Sequence, residues 1–316
     1  MKGENTMNSN NSNFDLPNQP EYFKNFWDYA RGREDSDAFL EAGKKPSGSY
    51  VLPTSSATKY DEALKRESLF RTIGTYVYSH SGPSKLLGKH TTDDAAWVPD
   101  GEAIPIYDGI NDFTEFAMED HKLAAIMRMD ASFLQDNPHV FGDYFIKRMA
   151  RCFGSAESDG FINGTGVDMP TGILSENGAA VGVTASAITF DDVIRLYFSV
   201  DKQFRQRGAW LMNDDTALAI RLLKDKDGNP IWNHANDMIL GKPVYIDNHM
   251  PSAGAGAKPI AFGDFSFYWI VEREPLTVRV LKEKFFEAGQ IGYLAYEFLD
   301  GKLIQPDAVK ILQITA

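Results

Sequence analysis

From Glu21 to Ala30 the apolar residues Tyr22, Phe23, Phe26, Trp27 and Ala30 recur at intervals of three and four, the spacing of a short amphipathic helix that Gly32 should stop. This aromatic stripe needs a partner, either within its own domain or on another chain. Ahead of it, residues 1–19 carry six Asn and few apolar groups and read as a disordered tail. Gly43, Pro46 and Gly48 punctuate the chain before Tyr50, Val51 and Leu52, an extended piece, and Lys59 to Arg71 reads as another short helix. The pattern then alternates, first at Ile73, Thr75 and Val77 and again from Phe113 towards Met129, as strands do. Between these, residues 81–112 hold Gly82, Pro83, Gly88, Pro99, Gly101, Pro105 and Gly109 with few aliphatic side chains. A loop of that length without a core of its own is unusual in a compact monomer and points to a function or a partner.

The strongest helical pattern is Pro138 to Asp159, with Asn137 at the N-cap and Pro138 at the first helical position. Phe141, Phe145, Met149, Cys152, Phe153 and Ala156 make one apolar stripe along a rod about 30 Å long. A turn-rich stretch, Asn163 to Gly172, follows. A second lobe begins at Thr189, which caps a helix turning Val193, Tyr197, Val200 and Phe204 inward until Gly208. Ala209 to Met212 then reads as a strand, and Asn213 caps a helix from Asp214 to Lys224. Pro243 to Asp247, Pro259 to Phe262, Phe267 to Val271, Leu276 to Leu281, Ile291 to Phe298 and Ala308 to Ile314 are strand-sized runs, with Asp300-Gly301 as a hairpin turn. The fold class is α+β, long helices laid on mostly antiparallel strands.

Composition narrows the class. With 316 residues, 43% hydrophobic and 24% charged, the chain reads as soluble and globular, large enough for more than one lobe. No run of about 18 apolar residues exists to cross a membrane, and Met1 to Asn13 lack the apolar stretch of a signal peptide, so the chain is expected to stay in the cytoplasm. Cys152 is the only cysteine, which excludes an intrachain disulfide; its expected role is that of a small buried hydrophobe. The net charge of -12 is the wrong sign for a protein that grips phosphate backbones.

Chemistry-bearing patterns fail one by one. Asn163-Gly-Thr-Gly166 follows a helix where a dinucleotide loop follows a strand, and no Gly-Lys-Ser or Gly-Lys-Thr occurs. Asp225-Lys-Asp227-Gly228-Asn229 spaces oxygens as a calcium loop does, yet Pro230 holds the position that requires Gly. The six histidines never recur at two, three or four, and no Gly-x-Ser-x-Gly elbow exists. Glu157 with Asp159 and Asp191 with Asp192 are carboxylate pairs, but the latter sit in the first turn of a helix, where negative charge favourably meets the dipole. No catalytic residue, metal ligand or cofactor is nominated.

Six stretches, in order, resemble the Hong Kong 97-type major capsid protein family of tailed double-stranded DNA bacteriophages. They are Gly48-Ser-Tyr-Val-Leu-Pro53; Ala96-Trp-Val-Pro-Asp-Gly-Glu-Ala-Ile-Pro105; Phe161-Ile-Asn-Gly-Thr-Gly-Val-Asp-Met-Pro-Thr-Gly-Ile-Leu174; Trp210-Leu-Met-Asn213 leading into Leu223 to Trp232; Leu240-Gly-Lys-Pro-Val244 with Met250-Pro251; and Ile260-Ala-Phe-Gly-Asp264 with Pro306-Asp-Ala-Val309. The resemblance covers nearly everything from residue 20 onward. It implies an N-terminal tail at 1–19, an N-arm at 20–78, an extended loop hairpin at 79–125, a peripheral domain at 126–182 and 273–305 whose spine helix is 138–159, and an axial domain at 183–272 and 306–316.

The resemblance further implies a non-enzymatic subunit that self-assembles into the pentamers and hexamers of an icosahedral head, enclosing double-stranded DNA without binding it specifically. The expected partners are other copies, a separate scaffold protein, a portal and decoration proteins, with no membrane; the expected location is the virion, after assembly in the host cytoplasm. Phe23, Phe26, Trp27 and Trp97 are the candidate intersubunit anchors, since aromatic residues are enriched at binding hot spots. Some family members join a loop Lys to an Asn near the C-terminus. Lys85 and Lys89 lie in the right loop, but no Asn follows Asn248, so that crosslink is expected to be absent. The competing readings are an encapsulin-like shell that encloses a cargo enzyme and, from another class, a soluble acidic hydrolase.

Overall fold

In the computed structural model the residues described are 16–32, 40, 43–79, 85–89, 97–100, 103, 113–117, 119–136, 140–224, 232 and 237–315. In chain order the elements are α1 (Pro20–Ala30), β1 (Tyr50–Val51), α2 (Thr54–Glu67), α3 (Phe70–Ile73), β2 (Thr75–Tyr78), β3 (Lys85–Lys89), β4 (Phe113–Ala117), β5 (His121–Asp130), α4 (Ala131–Asp136) and α5 (Phe141–Asn163). They continue with β6 (Ala180–Ala185), α6 (Phe190–Ser199), α7 (Lys202–Arg205), β7 (Ala209–Met212), α8 (Asp214–Arg221), β8 (Met238–Ile239), β9 (Lys242–Ile246), β10 (Ile260–Gly263), β11 (Tyr268–Leu281), β12 (Gln290–Leu303) and β13 (Val309–Ile314). The chain divides into two compact units. One gathers Met1–Ile73, His121–Gly160 and Glu272–Leu299; the other gathers Gly74–Asp120, Phe161–Val271 and Asp300–Ala316.

In the first unit, helices lie on an antiparallel sheet whose strands follow the order β1-β11-β12-β5. β5 alternates faithfully: Leu123, Ala125, Met127 and Met129 pack on the core, while Lys122, Ala124, Ile126 and Arg128 face solvent. Its register on β12 runs from His121 opposite Leu299 to Asp130 opposite Gln290. The stripe of α5 buries Phe141, Phe145, Met149 and Phe153 against Tyr293, Leu276 and Val278. α1 lays its aromatic face on the same core. Phe26 and Trp27 meet edge-on at 5.1 Å, and Trp27 meets Phe141 edge-on at 5.6 Å.

The second unit is built on a six-stranded mixed sheet in the order β6-β13-β10-β7-β9-β8. β6 pairs parallel with β13, β7 pairs parallel with β9, and β10 runs antiparallel between β13 and β7. α8 makes the crossover that the parallel β7 and β9 require. Trp210, Phe262, Val193, Leu196 and Ile220 form the core between helices and sheet. Thr189 closes a capping box with Asp192, as its place ahead of α6 predicts. In the same unit β3 and β4 form a two-stranded hairpin, Lys85 opposite Ala117 and Lys89 opposite Phe113, inside the stretch that reads from sequence as coreless.

Several expectations change. The rod expected at 138–159 extends to Asn163, because Phe161 and Ile162 are fully buried and packing overrides the helix penalty of Gly160. Asn137 and Pro138, its expected start, lie outside the described residues, as does the Asp225 to Asn229 turn. The single helix expected after Thr189 breaks at Val200, which is extended with φ -89° and ψ 135°. Phe267–Val271 and Leu276–Leu281 are one strand, β11; the polar gap between them is Glu272 to Pro275, and Glu272 turns inward onto an arginine. Asp300-Gly301 is not a turn but the interior of β12. A Cβ on Gly301 would lie 2.6 Å from the Tyr268 hydroxyl and 2.9 Å from the Phe161 ring, so its glycine serves close packing. Cys152, expected to be buried, is exposed on α5; Phe153 takes the core position beside it.

Candidate functional site

The feature of the first unit that sequence patterns do not announce is a buried charge cluster. Phe141, Phe145, Met149 and Phe153 follow one another every four residues along α5, and the next position in that series is Glu157. On α3, Arg71 reaches it in bidentate fashion: Nε donates to the two carboxylate oxygens at 3.1 and 2.8 Å, and Nη2 donates to Oε1. Its Nη1 donates to Glu272 Oε2 of β11 at 3.2 Å. On β12, Tyr293, Ala295 and Glu297 share the core-facing parity, and Glu297 is completely buried. Its Oε2 accepts a hydrogen bond from the Tyr60 hydroxyl of α2 at 3.2 Å.

Glu157, Glu272 and Glu297 thus surround one guanidinium, and full ionisation would leave excess negative charge in a dry interior. That costs several kcal/mol per uncompensated ion. The proton falls on Glu297, the most deeply buried of the three. Burial, and then the Glu157 carboxylate, push its carboxyl well above the usual carboxylate range, and a proton there can be donated to Glu157. Burial, followed by the Glu297 carboxyl, likewise raises the Tyr60 hydroxyl. Glu157, Glu272 and Glu297 are all buried, and their hydrogen bonds to Arg71 and Tyr60 tie α2, α3, α5, β11 and β12 together. The sequence signals are three glutamates at core parity, one on a helix and two on strands.

The nominated anchors separate into two classes. Phe26 and Trp27 are buried in the core of the first unit, with the Trp27 Nε1 donating to Ser56 Oγ at 3.3 Å. Phe23 is 44% exposed and borders a groove of about 300 Å³ with Trp27, Phe141 and Ile146. Trp97, in the other unit, stands wholly in solvent. Lys85 and Lys89 lie on β3, and their side chains lie outside the described residues.

The second unit carries polar turns where the sequence offered candidate loops. Asn163 to Gly172 closes a hairpin through a bridge between Thr165 and Thr171, with Asp168 at φ 58° and the apolar Val167 and Met169 exposed at its tip. His249 Nδ1 lies 2.7 Å from Asp247 Oδ1, while the Met250 amide donates to the Asp247 carbonyl at 3.1 Å, which closes a turn after β9. Among the described residues no group of three His, Cys, Asp or Glu side chains is placed to hold a metal ion, and no helix is long and apolar enough to cross a membrane. The exposed carboxylate of Asp214 on α8 borders a groove lined by Leu218, Trp232 and Ile246, while its neighbour Asp215 accepts a hydrogen bond from Ser252 Oγ at 3.0 Å.

Residues 48–314 match the model of the phage capsid family. Over 187 residues, 52% of this chain and 56% of the relative, the chain is 25% identical to the probable major capsid protein gp17 of Mycobacterium phage L5, so the match spans about half of that protein. Among solved structures, a chain from the capsid of the native GTA particle, computed with C5 symmetry, is 27% identical and superposes with a TM-score of 0.66, covering 79% of this chain and 90% of that one. A chain of Gordonia phage Cozz, 11% identical, shares the fold with a TM-score of 0.57, covering 79% of this chain and 87% of its own.

Proposed function

The chain belongs to the phage capsid family, and from that premise we propose that it is a major capsid protein, a structural subunit whose copies build the pentamers and hexamers of an icosahedral phage head. The observation that carries this reading is the likeness, over four fifths of the chain and at 27% identity, to a capsid chain solved in a five-fold symmetric particle. The family match from residue 48 to 314 takes in both compact units, which the role needs together.

In this reading 126–182 with 273–305 is the peripheral domain and 183–272 with 306–316 the axial domain, 79–125, with β3 and β4, is the extended loop, and 20–78, with α1 and α2, is the N-arm. A heterologous contact that closes makes rings, and one chain forms both five- and six-membered rings if its lobes hinge slightly. Phe23 and Trp97, exposed in the single chain, are proposed as intersubunit anchors. The proposed partners are a separate scaffold protein, a portal, decoration proteins and double-stranded DNA enclosed without sequence-specific contact, the head being assembled in the host cytoplasm. The excess of acidic residues suits a wall that does not adhere to its genome.

The test is sedimentation and negative-stain electron microscopy of the purified chain, alone and with a scaffold protein encoded beside it. Rings or closed polyhedra are expected. A monomer that persists under every condition, scaffold included, overturns the reading.

A further inference from the structure

Two surfaces of the six-stranded unit complement one another. At the end of α6 and along α7, Phe198 is 64% exposed, and the Arg205 guanidinium lies 4.9 Å from its ring centroid. Beside it stand Lys202 and Lys242, and the segment also carries Arg207, with Asp201 the one carboxylate between residues 200 and 208. The Arg205 Nε is buried without a hydrogen-bond partner among the described residues. This is an aromatic knob ringed by cations, on a chain whose net charge is -12.

On α8 the arrangement is inverted. Leu218 and Leu222 are 58% and 67% exposed beside a groove of about 370 Å³ floored by Trp232, Val244 and Ile246. Asp214 rims it at the helix start, with the exposed Asp215 next to it in sequence, and Asp237 stands at its side, paired with the Arg221 whose guanidinium lies 4.5 Å from the Trp232 ring. A groove with acidic groups at its rim matches an apolar knob with a basic rim in sign.

Resting on the shell-subunit reading, we propose that these surfaces are the two halves of one head-to-tail contact between neighbouring copies: Phe198 of one chain seats in the α8 groove of the next, with Lys202 and Arg205 against Asp214 and Asp215. The occupant is a second copy because both halves are carried by the same chain, and two different surfaces in contact give the heterologous geometry that closes into rings. Contact burial of Phe198, Leu218 and Leu222 supplies the apolar centre, and the charges fix the register.

Reversing one half at a time tests the assignment. The variant Lys202→Glu with Arg205→Glu presents acid to acid, and the variant Asp214→Lys with Asp215→Lys presents base to base. Neither is expected to form rings alone. Mixed in equal amounts they are expected to assemble, since each altered knob then meets an oppositely charged groove, and the four-fold variant is expected to assemble by itself. Sedimentation at low salt reads the outcome, and assembly of the mixture should weaken at about 1 M salt, where charges beyond about 3 Å are screened. Rescue by mixing cannot come from misfolded chains, and circular dichroism of each variant checks the fold independently. If the wild-type chain assembles and both variants do too, or the mixture remains unassembled, the contact lies elsewhere. If the Lys202/Arg205 variant assembles but loses salt-sensitive retention of double-stranded DNA, the basic corner faces the genome and the proposal falls. A wild-type chain that never assembles refutes the shell reading itself and this contact with it.

Discussion

Glu297→Gln is the substitution for which the structure fixes the sign. The side chain is fully buried beside Glu157, Glu272, Arg71 and Tyr60, and burial raises its carboxyl well above the ordinary 4.5. In the folded chain it therefore holds a proton that the unfolded chain releases above about 4.5. With one more proton bound in the folded state, stability falls by about 1.4 kcal/mol per pH unit, being fully present below the unfolded value and lost as the pH rises through the folded one. Glutamine has nearly the shape of the protonated acid; its amide can donate to Glu157 and its oxygen can accept from Tyr60 Oη, yet it cannot ionise. The variant should match the wild type in stability near pH 4.5 and exceed it increasingly above, by about 1.4 kcal/mol per pH unit until the folded carboxyl ionises. Asp61, whose carboxyl burial also raises, contributes equally to both chains and cancels in the comparison. Urea unfolding of the unassembled chains at half-unit steps from pH 4.5 to 7.5, followed by circular dichroism, measures the difference. Parallel pH profiles would refute the reasoning, for they would mean that Glu297 is ionised in the folded chain.

Three further outcomes are expected. Arg71→Met removes the guanidinium hydrogen-bonded to Glu157 and Glu272 and should cost about 3 to 5 kcal/mol in urea unfolding at neutral pH; a variant within about 1 kcal/mol of wild type would contradict the cluster. Gly301→Ala drives a Cβ into the Tyr268 hydroxyl and the Phe161 ring and should destabilise the chain by about 1 to 3 kcal/mol in thermal unfolding, whereas a true hairpin glycine at the surface would tolerate alanine with less loss. Trp97→Ala should leave the unassembled chain within about 0.5 kcal/mol of wild type, because the ring touches nothing in it, but raise the concentration needed for assembly by about tenfold or more, read by light scattering. An unchanged assembly threshold would remove Trp97 from the contact.

How much of this was legible depends on where each residue's partner lies. The capping box at Thr189 is a local pattern, complete within one turn, and the sequence displays it in full; the four-residue series Phe141, Phe145, Met149 and Phe153 marks the buried face of α5, while Cys152 and Ala156, read as part of the same stripe, are exposed. The limits of β11 and β12 were hidden because their polar interruptions are answered from far along the chain: Glu272 by Arg71, 201 residues away, and Gly301 by the ring of Phe161. The same distance concealed the charge cluster, since Glu297 reads as an ordinary exposed strand residue until its parity with Tyr293 and Ala295 is taken seriously.

Exposure is the deeper difficulty. Phe26 and Trp27 share a stripe with Phe23, and periodicity treats the three alike, yet only packing decides that the first two are core and the third is half open. The residue that an assembling chain holds back for its neighbour has the same hydrophobicity as the residue it buries at home, so binary pattern cannot tell them apart. What separates them is an accounting made after folding. Trp97, Phe198, Leu218 and Leu222 are among the apolar groups that the single chain leaves exposed, and two of the surfaces they mark carry opposite charge. A monomer has no use for that complementarity, whereas a ring built from identical copies needs such a pair of unlike surfaces at each junction.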